Sequence, residues 1–151
     1  MTTLVFHFED YNLNLYSGRS PGDIDLWRTT AKNLGCTTLV MVDLSTGEIG
    51  LNYTHSDEDI EFVRVSSLDD ALALRPDATQ IFLEERRVVP DAIKLSEFSH
   101  PNDAIYIVGP DSFGLQPSEE RTFVCIDTHA GSMWSIAAAA VALGHRMLGD
   151  D

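Results

Sequence analysis

Two short stretches of the sequence combine glycine with acidic and hydroxyl side chains. They are "VGPDSFGL" (108–115) and "IDTHAGSMW" (126–134), and each follows an apolar run typical of a strand. Ligands of open parallel sheets bind at the carboxyl ends of the strands. Glycine lets a ligand lie against backbone N–H and C=O groups, and a helix start near Ser132 would add further free N–H groups. Three glycines lie in these stretches: Gly109, Gly114 and Gly131. The two stretches therefore predict a ligand site.

Other interpretations of the same residues stay open. The Gly-Pro turn at 109–110 could be an ordinary chain reversal. Four polar residues could also form an acid/base/nucleophile set for hydrolysis: Asp111, Asp127, His129 and Ser132. The sequence contains no G-x-G-x-x-G dinucleotide fingerprint, no G-x-x-x-x-G-K-[ST] phosphate loop and no G-x-S-x-G nucleophile elbow. A small hydrolase is accordingly the weakest of these hypotheses.

The elements that must position these stretches alternate between strands and helices. Strands are predicted at 3–8, 37–44, 61–68, 79–85, 104–108 and 121–128. Helices are predicted from Ser20-Pro21 to Gly35, at 68–75, at 90–98, and from about Ser132 to Leu148. This alternation predicts a single α/β domain over 1–151, with a mainly parallel sheet flanked by helices.

Composition limits the class of protein and its partners. Hydrophobic residues make up 44% of the chain, and no run reaches the ~18 apolar residues of a membrane span. The opening "TTLVFHFED" lacks the basic region of a signal peptide, so a cytoplasmic location is expected. The net charge of −14 should repel a nucleic-acid backbone unless arginines gather on one face. Cys36 and Cys125 have no metal-ligand spacing and are expected to be buried thiols, so no metal site is predicted.

The final helix is apolar almost all round. Its sequence "SIAAAAVALGHRML" is rich in alanine, and small side chains let another backbone approach closely. A helix without a polar face must be covered on more than one side. Either it is central within this chain or it packs against a second copy, and a homodimer formed through this helix is the favoured interpretation.

The order of these motifs resembles the SPOUT superfamily of RNA methyltransferases, and most closely its SpoU-type ribose 2′-O-methyltransferases. The family motif G-P-E-x-x-G-L corresponds to residues 109–115, and its S-L-N motif before an Ala-rich helix corresponds to Ser132-Met133-Trp134. The family's N-x-G-x-x-x-R-T-A-like helix followed by glycine corresponds to Arg28-Thr29-Thr30-Ala31 and Gly35. The three matches cover about residues 20 to 147.

The resemblance implies a C-terminal trefoil knot, S-adenosylmethionine as cofactor, and an RNA substrate such as tRNA or rRNA. It implies catalytic or supporting roles for Arg28, Asp111 and Ser132, with Arg28 reaching across a dimer. The cofactor-binding residues that it implies are Leu83, Val108, Gly109, Pro110, Gly114, Leu115, Ile126, Asp127, Thr128, Gly131 and Ser132.

Two substitutions separate this chain from the family pattern. Asp111 replaces the usual Glu and is one methylene shorter, while Trp134 replaces the usual Asn with an indole that only donates hydrogen bonds. Together with the acidic charge, Trp134 favours an alternative: a non-catalytic, dimeric SPOUT-fold binding protein that has lost methyl transfer. Arg28 and the complete Gly-Pro…Gly-Leu stretch favour the enzyme.

Overall fold

The computed structural model describes residues 1–9, 21–44, 58–110, 114–128, 130–131 and 133–149. Within these ranges one parallel sheet has the strand order β3-β2-β1-β6-β4-β7-β5. The strands are β1 (Thr2–Phe8), β2 (Thr38–Asp43), β3 (Glu61–Val65), β4 (Thr79–Leu83), β5 (Ile93–Lys94), β6 (Ala104–Val108) and β7 (Phe123–Cys125). The α-helices are α1 (Pro21–Asn33), α2 (Leu68–Ala73) and α3 (Ser135–Gly149). The prediction of a mainly parallel α/β sheet is confirmed.

The central strands are apolar on both faces because helices cover both. All five residues of β6 are buried, as expected for a strand inside a parallel sheet. One face packs against α1 and α3, where Leu4 and Tyr106 join the buried side of α3. The other face packs against α2, where Val5 and Ile105 join Ala71. Both free cysteines are buried.

The predicted helix at 90–98 is wrong. Ile93 and Lys94 form the edge strand β5, paired with Val124 and Cys125 of β7, and a short 3₁₀ helix follows at Leu95–Glu97. Tertiary pairing overrides the weak local preference for a helix in this segment. Pairing with β7 satisfies its backbone instead.

Several other predicted boundaries shift by a few residues. The strand predicted at 61–68 ends at Val65, because Ser67 caps α2 by accepting a hydrogen bond from the Asp70 N–H (3.1 Å). The strand predicted at 121–128 is limited to β7, and the final helix begins at Ser135. In the part of the chain that the structure describes, no helix is long and apolar enough to cross a membrane.

The sheet order brings three strand ends together. β4 lies between β6 and β7, and Leu83 is in register with both Val108 and Val124. Because the three strands are parallel, the segments that follow them all begin at the same end of the sheet, where the carboxyl ends of the strands lie. The two glycine-containing stretches and the loop after β4 therefore meet there.

Candidate functional site

A cavity of about 570 Å³ opens at the carboxyl ends of β6, β4 and β7. We call it the cleft. Its volume lies within the range of roughly 300–1,000 Å³ that is usual for small-molecule sites. Four parts of the chain supply its lining: residues of 83–88 after β4, residues 108–110 and 114 after β6, residues 124, 126, 128 and 131 at the end of β7 and after it, and residues of 133–138 at the start of α3.

The first wall of the cleft contains Gly109, Pro110 and Gly114, here called the Gly-Pro loop. The Gly114 N–H donates to the Pro110 carbonyl (2.9 Å), and the Ser135 hydroxyl donates to the Gly109 carbonyl (2.7 Å). A Cβ placed on Gly109 would lie 2.7 Å from the Gly114 carbonyl carbon and 2.9 Å from the Leu115 nitrogen. The loop folds so tightly on itself that its own backbone excludes a side chain at Gly109.

Glu84 fixes this wall from the neighbouring strand end. One carboxylate oxygen accepts the Leu115 N–H (2.9 Å) and the other accepts the Glu85 N–H (3.0 Å). Gly114 has φ +67°, and a Cβ there would lie 2.6 Å from Oε2 of Glu84. Sequence reasoning missed Glu84 because it assigned 84–85 to the strand. An acidic pair at the carboxyl end of a central strand was the available signal.

His7 forms a hydrogen bond to the residue that precedes the Gly-Pro loop. Its Nδ1 lies 2.8 Å from the Val108 carbonyl oxygen, so the ring donates to the last residue of β6. Burial lowers the pKa of His7 below its ordinary value of 6.5, against the opposing effects of this hydrogen bond and of Glu9. The neutral ring is therefore the favoured form at neutral pH.

The second wall contains Ile126, Thr128 and Gly131, here called the Thr128 loop. The Thr128 hydroxyl donates to the Gly131 carbonyl (2.8 Å), which closes the turn. Gly131 has φ +73°, a backbone conformation that disfavours other residues, yet a Cβ there would meet nothing within 4 Å. Glycine is therefore favoured at position 131 by the positive φ angle and not by contacts with neighbouring atoms, and the space beside it is open.

The rim of the cleft carries an aromatic, a thioether and a guanidinium side chain. Trp134 and Met133 are 48% and 37% exposed, and both line the cleft. The Arg87 side chain is 71% exposed, and its Nη2 lies 2.6 Å from Oε1 of Glu85. In the sequence, Trp134 marks a departure from a family motif, and Arg87 is one of the arginines expected to be able to form a local patch near the site.

Most of the predicted cofactor-binding residues lie on the lining of the cleft: Leu83, Val108, Gly109, Pro110, Gly114, Ile126, Thr128 and Gly131. Leu115 is instead buried behind the Gly-Pro loop, and only its N–H faces Glu84. Asp127 lies in a smaller adjoining recess of about 250 Å³, with its Oδ2 3.7 Å from Nζ of Lys94.

Of the three predicted catalytic residues, the structure describes Arg28. Arg28 is buried on α1, where its Nε lies 3.6 Å from Oδ1 of Asp25, and it does not line the cleft. Asp111 and Ser132 lie outside the described residues, as does His129 of the hydrolase hypothesis. Among the residues that are described, no group of three or more His, Cys, Asp or Glu side chains could hold a metal ion.

The chain is similar to solved structures of RNA methyltransferases. The match to an AdoMet-bound rRNA methyltransferase from Sinorhizobium meliloti covers 98% of this chain, with 14% sequence identity and a TM-score of 0.69. Against the SpoU methyltransferase AviRb from Streptomyces viridochromogenes, in complex with AdoMet, coverage is 98%, identity 16% and the TM-score 0.66. The match to a structure described for the 2-OH methylation of C/U34 on tRNA covers 99% of this chain, with 18% sequence identity and a TM-score of 0.68.

The relatives differ in length. The chain spans 56% of the S. meliloti protein and 60% of AviRb, but 97% of the tRNA-related protein. No protein-family model matches the sequence, and no curated protein matches it significantly. Shared architecture at this level of identity establishes the fold. The chain therefore has the fold of the SpoU-type RNA methyltransferases, as its three motifs predicted.

Proposed function

We propose that this protein is an S-adenosylmethionine-dependent RNA methyltransferase that acts in the cytoplasm on a ribose 2′-hydroxyl of tRNA or rRNA. The observation that carries the proposal is the cleft. Two glycine-containing loops that match the SpoU motifs form its walls, at the carboxyl ends of adjacent parallel strands. Solved structures with the same fold contain AdoMet.

The lining of the cleft fits S-adenosylmethionine. Leu83, Val108 and Ile126 provide apolar surface for the adenine ring. The carboxylates of Glu84 and Glu85 place negative charge near a ligand that carries a sulfonium and an ammonium group. The open space beside Gly131 leaves its backbone accessible to the ligand.

When bound, the cofactor supplies an activated methyl group on a sulfonium. The protein must then orient a ribose hydroxyl, which is a weak nucleophile at neutral pH, against that methyl group. Arg28 remains our candidate for orienting the ribose or its phosphate, with Asp111 and Ser132 in supporting positions. Because Arg28 lies on α1 and away from the cleft of its own chain, this role requires a second copy.

We propose that the second copy packs on α3. The face of α3 that carries Ala139, Ala142 and Leu143 is fully buried within the chain. Another face carries the apolar or small residues Ala137, Val141, Gly144 and Leu148 at spacings of three and four. Val141 is 42% and Leu148 74% exposed, so this face has apolar surface available for a partner helix.

We also propose the C-terminal trefoil knot. β7 follows β4, β5 and β6 in sequence, yet it lies between β4 and β5 in the sheet. A late strand inserted between two earlier ones supports threading of the chain end, which is rare among folds.

Calorimetric titration with S-adenosylmethionine and with its demethylated product tests the cofactor, and labelled methyl transfer to total tRNA and rRNA tests the reaction. We expect micromolar binding, about −8 kcal/mol. Ala138→Leu should abolish it, because Ala138 lines the cleft. Absence of binding to the parent protein would refute the proposal, and binding without methyl transfer would favour the non-catalytic dimeric alternative.

Mixing two inactive variants tests the role of Arg28 across the dimer. Arg28→Ala should retain cofactor binding, and Ala138→Leu should retain Arg28. In randomly mixed dimers, one site in four combines an intact cleft with the partner's intact arginine, so about a quarter of the parent activity should return. A mixture that stays inactive although dimers form would contradict a role for Arg28 across the interface.

A further inference from the structure

We propose that the rim of the cleft binds one nucleotide of a single-stranded RNA segment, with its base stacked on Trp134 and its phosphate held by Arg87. This inference rests on the proposed function for its choice of RNA. It adds a recognition site outside the cofactor pocket and assigns roles to two residues that the motifs leave unexplained.

Trp134 has the exposure and the position that base stacking requires. The residue is 48% exposed although it lines a cavity, and Met133 beside it is 37% exposed. By contrast, Trp27 is buried and stacks on Phe6 with ring centroids 4.5 Å apart. The chain therefore has one tryptophan that completes the core and one that presents its ring at the opening of the cleft. Unpaired bases stack on such rings with little dependence on sequence.

Arg87 supplies a positive charge on the same rim. It follows β4, whereas Trp134 precedes α3, so two separate segments present the ring and the guanidinium to one cavity. The neighbouring Arg86 is already bonded to the Ala92 carbonyl (3.3 Å), while the Arg87 side chain is 71% exposed. A planar guanidinium can bind a phosphate with two parallel hydrogen bonds.

In this proposal a phosphate competes with the Glu85 carboxylate for the guanidinium of Arg87. Glu85 accepts from Arg87 over 2.6 Å, and its side chain is 29% exposed. An incoming phosphate must displace this carboxylate or share the guanidinium with it. In a chain of net charge −14, such a contact makes RNA binding weak and selective for a segment whose base also reaches Trp134.

Intrinsic fluorescence tests the stacking, with a short oligouridylate as the probe. We expect the oligonucleotide to quench the exposed tryptophan, and the Trp134→Phe variant to lose that signal because Trp27 is buried. Trp134→Ala should weaken oligonucleotide binding about 5- to 150-fold, the change that corresponds to one base stacked on an aromatic ring. Trp134→Phe should retain most of the affinity.

Salt dependence tests the phosphate contact. Arg87→Ala should reduce the slope of log K against log salt concentration by about 0.7, the value for one phosphate of a single strand. Arg64→Ala is the matched control, because it also removes an arginine paired with a carboxylate (Asp43, 2.7 Å) but lies on β3, at the opposite edge of the sheet. Glu85→Gln should strengthen binding, an effect that damage to folding does not produce.

The outcomes separate this inference from the proposed function. Unchanged oligonucleotide affinity in both Trp134→Ala and Arg87→Ala would overturn the inference even if the protein transfers methyl groups. Quenching by S-adenosylmethionine but not by the oligonucleotide would assign Trp134 to the cofactor and also overturn it. If the parent protein binds the oligonucleotide through both residues but never binds the cofactor, the nucleotide site stands and the proposed reaction fails.

Discussion

The two walls of the cleft both contain glycine, but protein atoms would crowd a Cβ in only one of them. In the Gly-Pro loop, a Cβ on Gly109 would overlap backbone atoms of the same loop, and one on Gly114, where φ is +67°, would lie 2.6 Å from Oε2 of Glu84. In the Thr128 loop, a Cβ on Gly131 would meet nothing within 4 Å, although φ is +73°. The first wall is tight because it packs against protein. The second keeps open space that a ligand can use.

This contrast bears on the two interpretations of the Gly-Pro turn, a chain reversal and a ligand contact. Gly109 is required by packing within the turn itself, and the turn is in addition a wall of the cleft. A glycine in a motif can therefore serve a ligand indirectly, by allowing the loop to adopt its shape.

Gly109→Ala should have the largest effect on stability. Its methyl group must displace the backbone of Gly114 and Leu115, and overpacking of this kind costs about 1–3 kcal/mol. Chemical denaturation measures the loss. Stability equal to that of the parent would show that the loop can shift, which would remove the distinction between the two walls.

Glu84→Gln should have the next largest effect on stability. The carboxylate accepts two backbone N–H groups, whereas a glutamine amide offers one oxygen and one NH₂ group, so one N–H loses its acceptor. We expect a loss of about 1–2 kcal/mol in the free energy of unfolding. Glu119→Gln, the same change at an exposed position, is the control. Equal effects of the two changes would show that Glu84 does not fix the wall.

Gly131→Ala should affect stability no more than Glu84→Gln, but it should affect ligand binding more. Only the left-handed backbone conformation is unfavourable, at about 1–2 kcal/mol, because no atom lies near the added methyl group. That methyl group would enter the space in which we place the cofactor. Calorimetric titration with S-adenosylmethionine should show weaker binding than for the parent, and undiminished affinity would argue that the ligand does not use this wall.

The smallest effect should be the pH dependence contributed by His7. Its pKa is lowered on folding, so the unfolded chain binds a proton more readily and stability falls as pH decreases below about 6.5. His7→Asn keeps a donor for the Val108 carbonyl but does not titrate. The difference in melting temperature between pH 7.5 and pH 5.5 should be smaller in this variant, and an identical difference would remove His7 as the source.

The sequence predicted the elements whose pattern is local. β1, β2 and β6 appear as apolar runs because helices cover both faces of the sheet, and α1 shows the helical spacing of Ile24, Trp27 and Ala31. The segment 90–98 failed because its conformation depends on pairing with β7, a partner more than twenty residues later in the chain. Local patterns do not contain that information.

The candidate site divides in the same way. The loops with Gly109 and Gly131 are visible in the sequence because glycine and proline mark turns. The role of Glu84 cannot be seen in the sequence, because it depends on a hydrogen bond with Leu115, which lies about thirty residues later in the chain. Arg28, which the sequence predicted to act across a dimer, does not line the cleft of its own chain.

The position of β1 in the sheet has a consequence for synthesis of the chain. β1 pairs with β2 early in the sequence, but its other edge pairs with β6, which β7 and α3 follow among the elements that the structure describes. Until residues 104–108 leave the ribosome, that apolar edge has no native partner in the sheet. Pairing over such a separation is slow, and an open apolar edge favours association with other nascent chains. We therefore expect folding yield to depend on how soon the C-terminal third of the chain follows the first strand.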